Sequence, residues 1–500
     1  MRVNPRERRD SGFEILDLQE RMRMFLALYL LDADHSKMSA PPTPVESRIP
    51  NLESRSWSAR DLAAIWHPCT QMRDHATGVP MIPIAHGDGA WLVDTNGDRY
   101  LDAISSWWTN LFGHANPRIT AALKDQLDRL EHVIFAGFTH EPAIRLAEEL
   151  LRVAPAGLSR VFYADNGSSA IEVALKMSFH YWRNRGETNK TRFVALTGSY
   201  HGETLGALSV TDVPLYRATY APLLLDPIFV QSPDCYERAA GESWESHSTR
   251  ALAHMRAALE KAAETISAVI VEPLVQCAGG MRMYHPAYLS GLRKLCDEFG
   301  VHLIADEIAV GFGRTGTLFA CEQAGITPDF MCLSKGLTGG FLPLSVVLTN
   351  ASVYDAFYAE YTSGKAFLHS HSYTGNPLAC SAALETLAIF RDEPVIERNR
   401  KTAEHMARRL REFESHPHIA DVRQTGMIAA VEMVRDRATR TPFAGADRRG
   451  LRVYRHALRR GVLLRPLGDV IYFMPPYVTT PDEIDLIFDV AHEGIELAVA

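Results

Sequence analysis

From Trp57 onward, short runs of apolar and β-branched residues alternate with longer segments whose apolar positions recur at helical spacing. This alternation is typical of α/β proteins. The apolar runs are nearly continuous, which favours a mainly parallel sheet covered by helices on both faces. The pattern predicts strands at Arg160–Ala164, Phe193–Leu196, Ala268–Val271, His302–Ala305, Phe330–Leu333 and Ser345–Thr349, and helices at Ser169–Arg183 and Pro286–Phe299.

The two ends of the chain differ from this central pattern. Residues 1–55 alternate charge clusters with a proline- and serine-rich stretch, which predicts a disordered extension; the alternative is that Met38 is the true start. After Arg391 the chain changes to arginine-rich helical patterns and short strands, predicted at Val422–Gly426 and Ile471–Phe473. We therefore expect a large domain at residues 105–392 and a smaller α+β domain formed by residues 56–104 and 393–500.

Composition narrows the class of protein. With 500 residues, 46% of them hydrophobic, the chain can bury a large core, which excludes a wholly disordered, collagen-like or disulfide-scaffold protein. A net charge of −8 gives no electrostatic reason to bind nucleic acid or an anionic membrane surface. The seven scattered cysteines contain no Cys-x-x-Cys pair, which favours a reduced, cytoplasmic protein without a metal site. No apolar run reaches the roughly 18 residues of a membrane span.

The segment Asn166-Gly167-Ser168-Ser169 follows a predicted strand and opens a predicted helix. Glycine and serine there expose backbone N–H groups and hydroxyls at the positive end of the helix, which favours an anion site, most often for phosphate. A plain helix cap is the alternative. Ser169 and Glu172 also have the spacing of a capping box.

Asp306 and Lys335 each follow an apolar strand, about one strand–helix–strand unit apart, so both should lie at the carboxyl edge of the sheet, beside the phosphate loop. A carboxylate there is unfavourable to bury unless it meets a cation, and a lysine there can lose its proton and act as a nucleophile. Taken singly, a capping aspartate and a structural lysine are the alternatives. Together with a phosphate cradle they match pyridoxal phosphate, whose ring nitrogen needs an acid and whose aldehyde needs an amine.

Two other motifs lack the context that their chemistry needs. Gly311–Gly316 fits the dinucleotide pattern G-x-G-x-x-G, but Asp306 and Glu307 precede it and no long apolar helix follows. We interpret it as a tight loop that presents Arg314. His201-Gly202-Glu203 resembles part of a zinc deaminase motif without its Pro-Cys-x-x-Cys, so His201 is interpreted as structural.

Ile304-Ala305-Asp306-Glu307-Ile308, the glycine-rich run after it and Ser334-Lys335-Gly336 resemble the signature of class III pyridoxal-phosphate aminotransferases. The resemblance extends from about Ile65 to the C-terminus. It implies a fold type I transferase, like aspartate aminotransferase, with pyridoxal 5'-phosphate as cofactor, small-molecule substrates, and a homodimer whose active sites are shared between subunits.

The family's cofactor contacts can be carried over by position. Lys335 would be the Schiff-base lysine and Asp306 the partner of the pyridinium nitrogen, while Tyr200 and Ile308 would pack on the two faces of the ring. The residues expected to hold phosphate are Gly167, Ser168 and Ser372, the last reaching the phosphate bound to the partner subunit.

More specific segments point to one branch of the family, in which 8-amino-7-oxononanoate becomes 7,8-diaminononanoate in biotin synthesis. They are Trp66-His67-Pro68, Ser105-Ser106-Trp107-Trp108, Gly279–Pro286 and Leu464–Gly468. The resemblance implies that Arg465 binds the carboxylate of the oxo acid, with Arg314 as the second candidate. Trp107 and Trp108 would line its aliphatic chain.

The amino donor expected from the resemblance is S-adenosyl-L-methionine, in a ping-pong cycle through pyridoxamine phosphate. Two departures lie toward the donor side of the pocket: Cys69 stands where relatives carry tyrosine or phenylalanine, and Glu203 where many carry aspartate. L-Lysine is therefore the alternative donor. Another class III ω-amino acid–pyruvate aminotransferase, an aminomutase and a non-catalytic binding protein are the alternative functions.

Overall fold

The computed structural model describes residues 56–79 and 81–500, which fall into two compact units divided between Met81 and Ile82. The predicted extension, residues 1–55, lies outside the described residues. In the first unit, the helices Trp57–Ala64 and Met72–Thr77 are joined by a turn. His67 Nε2 lies 2.6 Å from Asp61 Oδ2 and ties this turn to the first helix.

A seven-stranded sheet forms the centre of the second unit. Its strands, in spatial order, are Leu158–Ala164, Ser345–Asn350, Phe330–Leu333, His302–Asp306, Ile266–Val271, Arg192–Leu196 and Ile228–Val230. The strand Ser345–Asn350 is antiparallel to both of its neighbours, and the other pairings are parallel. All six predicted strands are confirmed, and only the three-residue edge strand was not predicted.

The near-continuous hydrophobicity of these strands follows from burial on both faces. In the strand His302–Asp306, Leu303 and Ala305 pack into one core while Ile304 packs into another, on the opposite face. The helix Gly167–Asn184 supplies much of the second core. The predicted parallel sheet with helices on both faces is therefore confirmed.

Asparagine or threonine caps followed by proline begin several of the helices. Asn116 precedes Pro117, Asn376 precedes Pro377 and Thr480 precedes Pro481, and each capping oxygen accepts backbone N–H groups of the first turn. The helices of the second unit include Pro117–Leu127, Glu141–Val153, Gly167–Asn184, Leu205–Ser209, Pro214–Arg217, Trp244–Ala262, Pro286–Phe299, Cys321–Ala324, Ala351–Asp355, Pro377–Asp392, Val395–Leu410, Arg449–Arg459 and Pro481–Val499.

A smaller α+β part completes the second unit. An antiparallel sheet of Ile419–Thr425, Ile428–Met433 and Val470–Phe473 shares a core with the last three helices. A further sheet joins Ile84–Asp88, Trp91–Asp94 and Arg99–Asp102 to Val462–Leu463. Both strands predicted in this region are confirmed, as is the fold class; the exact domain boundaries stay a prediction. Within the described residues, no helix is long and apolar enough to cross a membrane.

Candidate active site

Asp306 and Lys335 lie on neighbouring parallel strands at the carboxyl edge of the large sheet. Asp306 is the last residue of its strand, is 5% exposed and pairs in register with Cys332. Lys335 follows the neighbouring strand by two residues and has a left-handed backbone conformation, with φ at 47°. The sequence spacing therefore placed both groups at the correct edge.

The amine of Lys335 is placed against an aromatic ring. Its Nζ lies 4.4 Å from the ring centroid of Trp108, and it makes no hydrogen bond or ion pair with the described part of the chain. Burial lowers the pKa of Lys335 from 10.5, although Cys277, Asp306 and Glu272 act in the opposite direction. A lowered pKa raises the fraction of neutral amine, the form that attacks a carbonyl.

His201 is a functional residue that sequence reasoning missed. Its Nδ1 donates to Asp306 Oδ2 at 2.7 Å, and Asp306 Oδ1 accepts the backbone N–H of Ile308 at 3.1 Å. The imidazole is buried, so it holds the carboxylate in one orientation. His201, interpreted from the sequence as structural, thus contacts the candidate acid. Its place just beyond the strand Arg192–Leu196, at the same sheet edge, was the available signal.

Glu272 is a second missed residue at this edge. It follows the strand Ile266–Val271, and its carboxylate accepts the backbone N–H groups of Tyr200 at 2.9 Å and Cys277 at 3.0 Å. Burial raises the pKa of Glu272 well above its usual value, and the nearby charge of Asp306 adds to this. An acid directly after an apolar strand is the signal that singled out Asp306, and it was present here as well.

The predicted phosphate loop starts a helix, but two residues earlier than expected. The helix begins at Gly167, and Asn166 Oδ1 accepts the backbone N–H of Ser169 at 3.1 Å. The predicted capping box is wrong, because Glu172 instead accepts the backbone N–H of Gly206 at 2.7 Å. The backbone N–H groups at this helix start have no partner within the helix and can hold an anion.

Close packing brings this helix start to the Asp306 loop. A Cβ on Gly167 would lie 3.0 Å from Ile308 Cγ2, and one on Gly202 would lie 2.3 Å from Ser168 Cβ. Glycine is therefore required at position 202, where the backbone also has φ at 126°. The structure thus gathers Gly167, Ser168 and Ile308 around the helix start, beside the candidate acid.

Tyr200 is held at both its backbone and its side chain. Its amide donates to Glu272, and its phenol donates to Glu203 Oε1 at 3.0 Å. The rings of Tyr200 and Tyr216 meet edge to face at 5.3 Å. The carboxylate that departs from the family pattern therefore contacts the tyrosine predicted to pack on the cofactor.

Two of the predicted site residues are exposed. Ser372 is exposed in the loop before the helix Pro377–Asp392, a loop in which His371 lies 3.9 Å from Asp165. Cys69 is in the first unit, exposed in the turn between its two helices, with φ at 49°. Neither position by itself identifies a chemical role.

The residues Ser105–Trp108, hereafter the tryptophan turn, form one turn of left-handed helix. Their φ angles are 52°, 45°, 72° and 72°. The backbone N–H of Trp108 donates to Ile104 O at 2.9 Å, and that of Thr109 donates to Ser105 O at 3.0 Å. Left-handed conformation is unfavourable by about 1–2 kcal/mol for each non-glycine residue, so four in a row need strong support from their surroundings.

The two indoles of the tryptophan turn lie against two different positively charged side chains, Lys335 and Arg465. Trp108 is 3% exposed and lies under Lys335, whereas Trp107 is 37% exposed and lies 4.7 Å from the guanidinium carbon of Arg465. Aromatic surface therefore extends from the candidate nucleophile toward Arg465. The structure brings together the residues predicted to line and anchor the acceptor.

Arg314 has a structural role. It is 1% exposed, and its two terminal nitrogens donate to the backbone carbonyls of Pro475 at 2.9 Å and Asn110 at 3.0 Å. Its guanidinium also lies 5.0 Å from the ring of Tyr477. The prediction that Arg314 contacts substrate is therefore corrected. The alternative loop salt bridge is not found among residues 56–79 and 81–500 either.

Comparisons with known proteins agree with this geometry. The family model described as "Aminotransferase class-III" matches residues 72–495. Proteins named adenosylmethionine-8-amino-7-oxononanoate aminotransferase match from Geobacter sulfurreducens, at 44% identity over 90% of this chain and 99% of the relative, and from Helicobacter pylori, at 46% over 85% and 94%.

Solved structures agree as well. The crystal structure of adenosylmethionine-8-amino-7-oxononanoate aminotransferase from Methanocaldococcus jannaschii superposes with a TM-score of 0.83 at 38% identity, over 88% of this chain and 98% of that one. The omega transaminase from Pseudomonas jessenii in complex with PMP gives 0.84 at 31% identity, over 89% and 98%.

Proposed function

The chain belongs to the class-III aminotransferase family, and we propose that it aminates 8-amino-7-oxononanoate to 7,8-diaminononanoate, the transamination of biotin synthesis. It is a pyridoxal-phosphate-dependent aminotransferase, as its family implies. The observation that carries the choice of substrate is the tryptophan turn, which places aromatic surface between the Lys335 amine and the Arg465 guanidinium. An acceptor with a distal carboxylate on an aliphatic chain fits this arrangement. The names of the relatives support the same substrate.

The residues present fit pyridoxal phosphate, which when bound supplies an electron sink for the carbon that gains or loses the amino group. The start of the helix at Gly167 and Ser168 offers backbone N–H groups for the phosphate, and Ile308 packs so closely there that a side chain at position 167 would have to displace it slightly. Asp306 would hold a proton on the ring nitrogen. His201 would keep the carboxylate turned toward that nitrogen through its 2.7 Å hydrogen bond.

Lys335 would attach the cofactor and then move protons at the reacting carbon. Its Nζ has the lowered pKa that both tasks require, because a neutral amine is the attacking form and the proton-accepting form. Trp108 shields one side of the amine. Tyr200, whose phenol is held by Glu203, would cover one face of the ring, and Ile308 the other.

Arg465 would bind the acceptor's carboxylate. Its guanidinium carbon lies 4.7 Å from the ring centroid of Trp107, so its N–H fork would bind a carboxylate while the indole contacts the aliphatic chain. Arg314 does not compete for this role, since backbone carbonyls hold both of its terminal nitrogens. The reaction is tested with 8-amino-7-oxononanoate and a panel of amino donors. Turnover with pyruvate and an ω-amino acid, but none with 8-amino-7-oxononanoate, would replace this proposal with the alternative transaminase.

We propose S-adenosyl-L-methionine as the donor, on the strength of the relatives' names. Glu203 and L-lysine could also form an ion pair, so the competing donor has a specific residue in its favour. Stopped-flow measurement of the donor half-reaction, following the cofactor's absorption, separates the two. Fast conversion with adenosylmethionine and none with lysine supports the proposal; the opposite pattern assigns lysine.

A homodimer is proposed as the working form. Several large apolar side chains are exposed near Ser372 in sequence or in the loop at 132–138, which is uncommon for a monomer surface. They are Ile134, Phe138, Tyr358, Tyr361, Leu368 and Tyr373. Sedimentation should give a dimer, and Ser372→Ala should weaken cofactor binding if that hydroxyl reaches the partner's phosphate.

The cysteine pattern and the biosynthetic relatives support a cytoplasmic location.

A further inference from the structure

The tryptophan turn has a conformation that its own sequence does not favour. Ser105, Ser106, Trp107 and Trp108 all have positive φ, and none of them is glycine. Glycine is the residue that adopts this region without a steric penalty. The contacts around the turn must therefore hold it, and those contacts can be identified.

The carboxylate of Asp102 provides the main anchor of the tryptophan turn. This carboxylate is fully buried, and Oδ2 accepts the hydroxyl of Ser106 at 2.7 Å and Nε2–H of His114 at 3.1 Å. Its Oδ1 accepts the backbone N–H of Ile104 at 3.2 Å. Asn110 Nδ2 donates to His114 Nδ1 at 3.1 Å, which assigns the imidazole proton to Nε2, facing the carboxylate.

The imidazole of His114 is itself fixed in place. Its backbone N–H donates to Gly89 O at 2.7 Å, and a Cβ on Gly87 would lie 2.4 Å from His114 Cβ. The first residue of the turn has a separate anchor, because Ser105 Oγ donates to Met474 O at 2.7 Å. The groups around Asp102 are therefore fixed in place. Through its hydrogen bond with the hydroxyl of Ser106, the Asp102 carboxylate fixes the position of Ser106 as well.

We propose that Asp102 is a positioning residue for the amino acceptor. By holding Ser106 and His114, it keeps the tryptophan turn left-handed, with Trp107 against Arg465 and Trp108 against Lys335. The proposal rests on the acceptor proposed above. Relaxation of the turn would displace both indoles while leaving the His201–Asp306 contact and the phosphate loop in place. Loss of the anchor should therefore weaken acceptor binding more than cofactor binding or the donor half-reaction.

A matched pair of variants at Ser106 tests the link between the anchor and the backbone. Ser106→Ala and Ser106→Gly both remove the hydroxyl that donates to Asp102, but glycine adopts the left-handed region freely. Ser106→Ala should raise the KM for 8-amino-7-oxononanoate about tenfold. Ser106→Gly should give a KM between wild type and Ser106→Ala. Equal KM values for the two variants would overturn the proposed role of the backbone conformation.

Asp102→Asn tests the anchor directly. We expect a KM increase for the acceptor of about tenfold or more, with the donor half-reaction within about twofold of wild type. The cofactor's absorption spectrum and the Tm of the holoenzyme show whether the variant is folded and loaded. Should the donor and acceptor half-reactions fall together in folded enzyme, Asp102 would be a purely structural residue and the proposal would fail.

Hydrogen exchange gives a readout that does not depend on the substrate. The amides of Trp108 and Thr109 close the left-handed turn, so they should exchange faster in Ser106→Ala than in wild type, with Ser106→Gly between them. Unchanged exchange would overturn the anchor. If wild type does not use 8-amino-7-oxononanoate, the proposed function fails; the exchange result still stands, and the KM comparison is made with the oxo acid that wild type does accept.

Discussion

Lys190 and Lys335 lie at opposite edges of the large sheet, and burial lowers the pKa of both amines from 10.5. Lys190 precedes the strand Arg192–Leu196, whereas Lys335 follows the strand Phe330–Leu333. Each amine lies over an indole ring: Lys190 is 4.5 Å from the centroid of Trp182, and Lys335 is 4.4 Å from that of Trp108. In the direction of the pKa shift and in the aromatic contact, the two lysines are therefore alike.

The two lysines differ in whether their N–H groups have hydrogen-bond acceptors. Lys190 Nζ donates to the backbone carbonyls of Ala263, Ile266 and Gly300 at 3.2, 3.3 and 2.9 Å, so all three of its N–H groups have acceptors. Lys335 Nζ has no such acceptor in the described part of the chain. A lowered pKa therefore does not by itself identify a reactive lysine; an amine without acceptors at the carboxyl edge of the sheet does.

The largest expected effect is on turnover in Lys335→Ala. Activity should fall by roughly 10⁴-fold or more, because the variant loses both the attacking amine and the proton carrier. Steady-state kinetics measure the loss. Borohydride reduction of the wild-type holoenzyme followed by peptide mapping should place the pyridoxyl group on Lys335 and none on Lys190. A label on any other lysine contradicts the assignment.

Lys190→Met is the matched control. Three backbone carbonyls would lose their donor, so the free energy of unfolding should fall by about 3 kcal/mol. Turnover per folded molecule should stay near wild type. Urea unfolding and activity at a temperature where the variant is folded check both statements. Loss of turnover in folded Lys190→Met would contradict the assignment of Lys190 as a structural lysine.

Asp306→Asn should lower activity by roughly a hundredfold or more, because an amide cannot balance a protonated ring nitrogen. The fold should be retained, since the side chains are nearly isosteric. Glu307→Gln is the control: the neighbouring carboxylate, whose pKa is raised to about 7 by burial, accepts the backbone N–H groups of Ala320 and Cys321 and faces away from this chemistry. A near wild-type rate in Asp306→Asn would make that carboxylate structural.

Arg465→Ala should raise the KM for the oxo acid by about tenfold to a hundredfold and leave cofactor binding unchanged. Arg314→Met should instead lower Tm, because two buried carbonyls lose their donor. Initial rates against acceptor concentration and thermal unfolding separate the two arginines. An unchanged KM in Arg465→Ala would mean that the carboxylate is held by another residue.

The smallest effect concerns pH. The unfolded chain binds the protons of Lys190 and Lys335 more tightly than the native chain does, so the unfolding free energy of the apoenzyme should rise as pH increases toward 10.5. In Lys190→Met this rise should be shallower than in wild type. Urea unfolding at several pH values above neutrality measures the difference. An equal slope would mean that hydrogen bonding to the three carbonyls keeps Lys190 fully charged.

The sequence predicted the parts of the fold that have a local signal. Six strands of the large sheet carry apolar runs, and Asp306 and Lys335 lie at or just beyond the ends of two of them. The strand Ile228–Val230 has three residues at a sheet edge, too few to show a pattern. The strand Ile428–Met433 was not predicted although it is buried, and only two residues separate it from the strand before it.

The rest of the site depends on contacts between distant parts of the chain. His201 meets Asp306 across 105 residues, so no local motif indicates the pair. Arg314 was predicted to be presented by a glycine-rich loop as the second candidate for the substrate carboxylate, but its backbone-carbonyl partners come from residues 110 and 475. Nothing in Ser-Ser-Trp-Trp indicates positive φ, since propensity assigns that region to glycine. The turn is anchored by hydrogen bonds from Ser106 to Asp102 and from Ser105 to the carbonyl of Met474.

The contact between Ser105 and Met474 spans 369 residues and so affects the order in which the protein forms during synthesis. The strand Arg99–Asp102, from which the turn emerges, also pairs with Val462–Leu463. All strands of the large sheet have left the ribosome before these C-terminal partners are translated. A nascent chain can therefore assemble its lysine and aspartate edge first, while the acceptor-binding turn gains its final shape only when translation is nearly complete.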